Sequence, residues 1–326
     1  MNGFNPIICP SCGNDEKNVV LQTWGKYEIR ECPQCQLIFS WPMIPGDLEF
    51  YQKYPVYDNP NIQVSKNAYL AIAKKKFNRR LLQMVPPQGK MLDIGCGNGA
   101  WVKVAMEAGI DAWGIDMNEQ SINFGRKVYM LDDTRLLIGR VEDLYQDHKL
   151  TSQLFDLITL FEVIEHVADP SALIRTLTPF LKPGGFLALS CPNEARIQWG
   201  GRIFADYPPH HLTRWKPQTM IKFMERHGFT PVTISYDTSL RDCFWTYCVN
   251  RLARKKRSRQ ASAANPGVAV KTSWVRQYLR CHFLFLDSLF RASLIPFDLI
   301  LRGVGIGTMG MQLVFRKEKK PMPQNV

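Results

Sequence analysis

From Lys90 onward the chain alternates short apolar runs with amphipathic stretches, a rhythm that leaves few folds open. Candidate strands are Met91–Ile94, Ala112–Asp116, Leu136–Val141, Phe155–Phe161, Gly185–Cys191, Thr230–Tyr236 and Gly310–Phe315. Helical stretches separate the earlier ones, as parallel pairing requires, because a parallel crossover consumes a dozen or more residues. The fold expected is α/β: a doubly wound, seven-stranded, mostly parallel sheet of Rossmann-like kind, covered by helices on both faces. Ligands of such sheets bind outside the carboxyl ends of the strands, so the residues closing each strand are the first place to look for chemistry.

The first strand runs into Asp93-Ile94-Gly95-Cys96-Gly97-Asn98-Gly99, followed by a helix from Ala100 to Ala108. Glycines there let the backbone turn tightly and approach a ligand more closely than a Cβ would allow. The second strand closes on Gly114-Ile115-Asp116, an acidic residue seventeen positions after Gly99. Such a carboxylate can accept hydrogen bonds from two ribose hydroxyls, or it can cap the helix that follows. NAD and S-adenosylmethionine both suit these features. Asp93 shifts the balance, since a carboxylate opening the loop suits a pyrophosphate poorly and a sulfonium ligand bearing an amino group well.

Ahead of this core, Cys9-Pro10-Ser11-Cys12 and Cys32-Pro33-Gln34-Cys35 form two C-x2-C pairs separated by nineteen residues. That spacing is a zinc-ribbon pattern, in which each pair aims two thiolates at one tetrahedral metal. Val19–Thr23 and Tyr27–Arg30 read as the hairpin that joins the pairs. A domain this small needs a metal to supplement its core, and four cysteines leave no open coordination site, so the expected role is structural. With four of nine cysteines so engaged and no charged n-region in residues 1–6, reduced thiols and a cytoplasmic setting are expected.

Leu92–Gly99, Phe155-Asp156-Leu157-Ile158-Thr159-Leu160-Phe161-Glu162-Val163-Ile164-Glu165-His166-Val167 and Leu181-Lys182-Pro183-Gly184-Gly185-Phe186 together closely resemble the class I S-adenosylmethionine-dependent methyltransferases, of the ubiquinone-biosynthesis type and methyltransferase-domain 23 branch. Cys9 to Tyr57 is similar to the zinc-ribbon leader of one branch, and the likeness spans residues 7–236. It implies that Asp93, Gly95 and Gly97 hold the methionine moiety and Asp116 the ribose. Glu142 and Asp143 would meet the adenine edge, Met117 would give it an apolar face, and Phe161 and Glu162 would close the fourth strand above the methyl donor. Lys182–Gly185 is expected as a turn before the fifth strand with a structural role.

Methyl transfer to oxygen needs in-line positioning and a base. Glu162–His166 is expected to begin a helix, placing Glu162, Glu165 and His166 on one face. Pro208-Pro209-His210-His211-Leu212-Thr213-Arg214-Trp215 forms a stiff loop carrying two histidines. The pair of motifs resembles the small-RNA terminal 2′-O-methyltransferases, which implies a second, divalent metal site at Glu162, Glu165, His166 and His211. A metal-free base or substrate ligand at His210 or His211, or a packing role for His166, is the alternative. His211, His210, Glu162 and His166 are therefore the candidate catalytic residues.

The net charge of +12 suggests nucleic acid until it is located. Residues 1–250 hold 26 Lys+Arg and 26 Asp+Glu and are neutral, whereas residues 251–320 hold 15 and 3. A phosphate-tracking groove would need Lys and Arg around the site, so an RNA methyltransferase is the weaker alternative. The basic excess belongs to an insertion running from Arg251–Arg259 into an apolar stretch, Trp274–Leu301, whose polar residues fall on one helical stripe. Asp287, Arg291, Asp298 and Pro296 exclude a transmembrane span. A helical cap, a dimer surface and an in-plane helix on an anionic membrane remain open, and sedimentation with anionic vesicles at low salt separates them.

The expected organisation is a zinc ribbon over 1–45, a linker and leading helix over 46–85, the cofactor-binding core over 86–240, the insertion over 241–307, and the last strand and tail over 308–326. The expected activity is O-methylation of a hydroxyl on a sugar, glycan or lipid-linked small molecule by a cytoplasmic enzyme, peripheral to the membrane if the insertion binds it. A catalytically inactive binding protein would fail to bind the cofactor, and a nicotinamide-dependent dehydrogenase would be stabilised by NAD instead.

Overall fold

The computed structural model describes residues 7–47, 49–50, 76–145, 150, 153–196, 206–236 and 310–319. At the front, β1 (Val19–Trp24) and β2 (Tyr27–Glu31) pair antiparallel as the expected hairpin, with Gly25 at φ +56° in the turn and a register shift between Val20 and Gln22. β3 (Ile38–Trp41) adds to β2. Helix α1 (Lys76–Leu82) then leads into the main sheet.

That sheet begins β4 (Lys90–Ile94), α2 (Ala100–Glu107), β5 (Asp111–Asp116), α3 (Glu119–Tyr129) and β6 (Leu136–Ile138). It continues with β7 (Phe155–Phe161), α4 (Pro170–Leu177), β8 (Leu181–Pro192), the short β9 (Thr213–Arg214), α5 (Pro217–Arg226), β10 (Phe229–Tyr236) and β11 (Gly310–Lys317). Seven of these strands form one sheet in the order β10-β11-β8-β7-β4-β5-β6, with β4 parallel to β5 and β7, β5 to β6, and β7 to β8. The chain therefore winds outward on both sides of β4, and the order reverses between β4 and β7, the position at which sheets of this kind take their ligands.

Burial explains the strand sequences. Met91 and Leu92 are adjacent in β4, point to opposite faces, and are both fully buried, as in a sheet covered on both sides. α3 buries Ile122, Gly125 and Tyr129, one helical stripe, and Asn118 caps it by accepting from Ser121 N at 3.1 Å. α4 starts on Asp169, which accepts from Ala172 N at 2.8 Å, with Pro170 in its first turn.

Three details depart from expectation. β6 stops at Ile138, and Val141–Tyr145 coils into a 3₁₀ turn. The Lys182–Gly185 turn lies inside β8, not before it: pairing jumps from Phe155↔Leu181 to Leu157↔Phe186, with Gly184 at φ +78°. Lys182 Nζ reaches the carboxylate of Asp156 at 2.8 and 2.9 Å, which holds this bulge against β7.

The third concerns the front. β3 pairs with β9, Ile38 opposite Arg214 and Phe39 opposite Thr213, so a four-stranded sheet β1-β2-β3-β9 spans the ribbon and the segment after His211. The ribbon is part of one compact unit, Met1–Glu194 with Ala205–Ser235 and Met311–Val326. Ala195–Phe204 with Tyr236–Gly310 forms a second unit. The expected insertion over 241–307 lies outside the described residues, and so do its readings as cap, dimer surface or membrane helix. Among the described residues no helix is long and apolar enough to cross a membrane.

Candidate active site

β4 ends in the glycine loop, whose backbone leaves the strand through Gly95 at φ +69° and Gly97 at φ +55°. A side chain at Gly95 would lie 2.5 Å from Val163 Cγ2, whereas the space beside Gly97 is open. The loop is pinned to β5, because Gly95 N and Cys96 N both donate to Ile115 O at 2.9 and 3.1 Å. A residue the sequence did not flag completes it. A Cβ on Gly125 of α3 would lie 1.9 Å from Asn98 O, so helix and loop backbones meet there. An isolated glycine within a helical pattern was the available signal.

Asp116 stands at the adjacent strand end. Its Oδ2 accepts from Gly97 N at 2.8 Å and its Oδ1 from Asn118 N at 2.7 Å. It ties the glycine loop to the turn before α3, whose cap is Asn118 and not Asp116, and each oxygen retains acceptor capacity for a hydroxyl. Burial raises its pKa, opposed by those two N–H groups. Asp93 is buried deeper, with Oδ1 accepting from Thr159 Oγ1 of β7 at 2.6 Å. Burial pushes its pKa up to about 7, the Thr159 hydroxyl opposes this, and the negative Asp116 adds to it. Such a carboxylate favours a cation beside it.

The other residues expected at the cofactor follow or close β5, β6 and β7. Met117 is half-buried just beyond Asp116. Glu142 and Asp143 are exposed on the 3₁₀ turn after β6, where Asp143 Oδ2 accepts from Arg140 N at 2.6 Å and so closes the turn. Phe161 ends β7, with its ring centroid 6.1 Å from that of Trp101 in α2.

Past Phe161 the expected helix does not form. Glu162 takes φ +56° and residues 164–166 make a turn, so Glu162, Glu165 and His166 do not line one helical face. A left-handed residue directly after a strand breaks the periodicity that the i, i+3, i+4 spacing presumed. Glu162 is exposed and accepts from Ser190 Oγ of β8 at 2.7 Å. Glu165 is buried, 1% exposed, next to the Glu162 carboxylate.

Three histidines assemble beside it. One ring nitrogen from each of His166, His210 and His211 lies within 4.8 Å of the other two, and their ring centroids are 4.6 to 4.9 Å apart. His166 Nδ1 donates to His210 O at 2.6 Å, which leaves Nε2 as the lone-pair nitrogen, 3.8 Å from Glu165 Oε1. Burial, aided by the neighbouring His210, lowers the His166 pKa to about 4. Burial, then the neighbouring Glu162, pushes Glu165 well above the ordinary carboxylate range. Both shifts favour the uncharged forms of the two groups. His211 Nδ1 lies 3.9 Å from Oδ1 of buried Asp206, a residue the sequence did not single out.

At the front, Sγ of Cys9 and Cys35 are 3.6 Å apart, as are those of Cys12 and Cys32, and all four lie within 4.8 Å of one another. Tetrahedral zinc with bonds of roughly 2.3 Å places its sulfurs about 3.8 Å apart, so the quartet fits that ion. The hydrogen bond from Cys9 holds the Cys35 thiol down to about 5, aided by Leu37 N.

The family described as methyltransferase domain matches residues 68–234. Two ubiquinone biosynthesis O-methyltransferases are similar to the chain. That of Proteus mirabilis is 31% identical over 111 residues, 34% of this chain and 44% of the relative. That of Idiomarina loihiensis is 32% identical over 132 residues, 40% of this chain and 51% of the relative. The chain thus spans about half the length of these curated relatives. A solved structure described as a SAM-dependent methyltransferase, from Archaeoglobus fulgidus, covers 81% of this chain and 100% of its own at 18% identity and TM-score 0.49.

Proposed function

This chain belongs to the methyltransferase-domain family, and on that premise we propose that it transfers the methyl group of S-adenosylmethionine to a hydroxyl of a small-molecule acceptor. The observation that carries the reading is the joined pair of strand ends, where Gly97 N donates to Asp116 Oδ2 at 2.8 Å beside an open face of the glycine loop. Asp93 would hold the amino group of the methionine moiety, which suits a buried carboxylate that ionises only near neutrality. Asp116 would take the ribose hydroxyls with its remaining lone pairs, while Met117 and the Glu142–Asp143 turn would border the base. When bound, the cofactor supplies an electrophilic methyl group, so the protein's work is to orient the acceptor and remove its proton. His211 or His210 would take that proton, and neutral His166, fixed by its bond to the His210 carbonyl, would keep the loop in place.

Calorimetry with S-adenosylhomocysteine tests the donor site. Asp116→Ala should weaken binding by roughly 1–3 kcal/mol, because the ribose and Gly97 N both lose a charged acceptor. An unchanged affinity, or stabilisation of the native protein by NAD instead, would sink the reading.

For the acceptor, the names of the relatives add the hydroxyl of a ubiquinone precursor to the sugar, glycan and lipid-linked hydroxyls expected from the sequence. Turnover of a phenolic against a sugar acceptor decides between them. A second reading keeps the donor and places a divalent ion among His166, His210 and His211, whose spacing favours them over the set of Glu162, Glu165, His166 and His211. Activity lost to a chelator and restored by Mn²⁺ or Mg²⁺ would establish it.

A further inference from the structure

The segment carrying His210 and His211 has little structure of its own. β9 is two residues long, too short to be stable unless something holds it. It is gripped from two sides. On one, Leu212 N and Thr213 N both donate to Glu165 O at 2.7 and 3.2 Å, in the turn that carries His166. On the other stands the ribbon. β3 pairs with β9, Ser40 N donates to Leu212 O at 2.8 Å, and Gly46 N donates to Pro209 O at 3.1 Å. The indole of Trp24, at the hairpin tip, stacks on Tyr207 with centroids 4.0 Å apart and planes 15° from parallel. The connection reaches the cysteines themselves, since Thr219 Oγ1 donates to the carbonyl of Cys35 at 2.9 Å.

The glycine loop is held differently, by β5: its bonds run to Ile115 and Asp116. We propose that the cysteine ribbon is a clamp for the histidine loop, so that metal on Cys9, Cys12, Cys32 and Cys35 orders residues 206–215 through the β3–β9 pairing while the cofactor site stays formed without it. A ribbon of this size has too small a core to hold its strands without metal, so losing the ion releases β3 and with it the loop. Only the catalytic consequence of this clamp rests on the function proposed above.

Hydrogen–deuterium exchange on the whole protein reads the coupling without an acceptor. After zinc is stripped by a chelator, the amides of residues 206–215 should exchange about tenfold faster or more, and zinc re-addition should restore them. S-adenosylhomocysteine affinity should stay within about twofold. Ser40→Pro removes the N–H that β3 donates to Leu212 and keeps all four cysteines. It should retain one zinc per chain yet show the same fast exchange. If that variant does not fold, the chelation series stands alone.

Unchanged protection of 206–215 after the metal leaves overturns the clamp. So does folded protein that carries no metal, and so does loss of cofactor binding together with the loop, which would make the ribbon a general staple. None of these readouts depends on turnover. A fully active His211→Ala with intact coupling would therefore refute the proposed base and leave the clamp standing.

Discussion

Asp93 is a carboxylate whose folded pKa, about 7, lies above its ordinary value because it is buried. As pH rises from about 4 to 7 the unfolded chain releases this proton before the folded one does, so stability falls across that window. Asp93→Asn removes the penalty and still leaves an oxygen to accept from Thr159. The variant should be indistinguishable from the parent near pH 4 and more stable at pH 8, by on the order of 2 kcal/mol, while binding S-adenosylhomocysteine more weakly. Denaturant melts at the two pH values check this, and equal stability at pH 8 would mean that Asp93 ionises freely. The histidines carry the other test at this scale. His211→Ala should lower turnover by about 10²–10⁴-fold with cofactor affinity nearly intact. Full activity without a metal requirement would remove both the base and the metal from that position.

At the scale of elements, the loop and α3 are a single packing unit. Gly125 lies on the buried stripe of α3, and the atom a Cβ would strike at 1.9 Å is backbone, not a side chain that can swing away. Gly125→Ala would ordinarily favour a helix by about 1 kcal/mol. Here it should instead destabilise the protein and weaken S-adenosylhomocysteine binding, because Asn98 must move and the glycine loop moves with it. A melting temperature at or above the parent's would show that α3 can shift without disturbing the loop.

At the scale of the molecule, the ribbon shares a sheet and a compact unit with the main fold, so zinc should stabilise the whole unit by mass action. Chelation is expected to lower one cooperative melting transition by several degrees; a separate early transition with the main one unmoved would mean an independent ribbon. The seven strands, the glycine loop, Asp116 and the cysteine quartet were all legible in the sequence, because each rests on local chemistry: short apolar runs, the φ freedom of glycine, an acidic residue at a strand end, or two C-x2-C turns. The histidine cluster was legible only as a list of residue types. Glu162–His166 matched helical spacing, yet Glu162 adopts φ +56° and the segment turns, which leaves Glu162 exposed on Ser190 and Glu165 buried. Thr159, Ser190 and Gly125 acquire their roles from partners 28 to 66 positions away or from another element's backbone. Likewise, no local pattern announces that β3 pairs with a two-residue strand more than 170 positions later. Periodicity and spacing determine elements because they are set by neighbours along the chain; the site was decided by tertiary structure, because side chains distant in sequence meet only when the sheet is assembled.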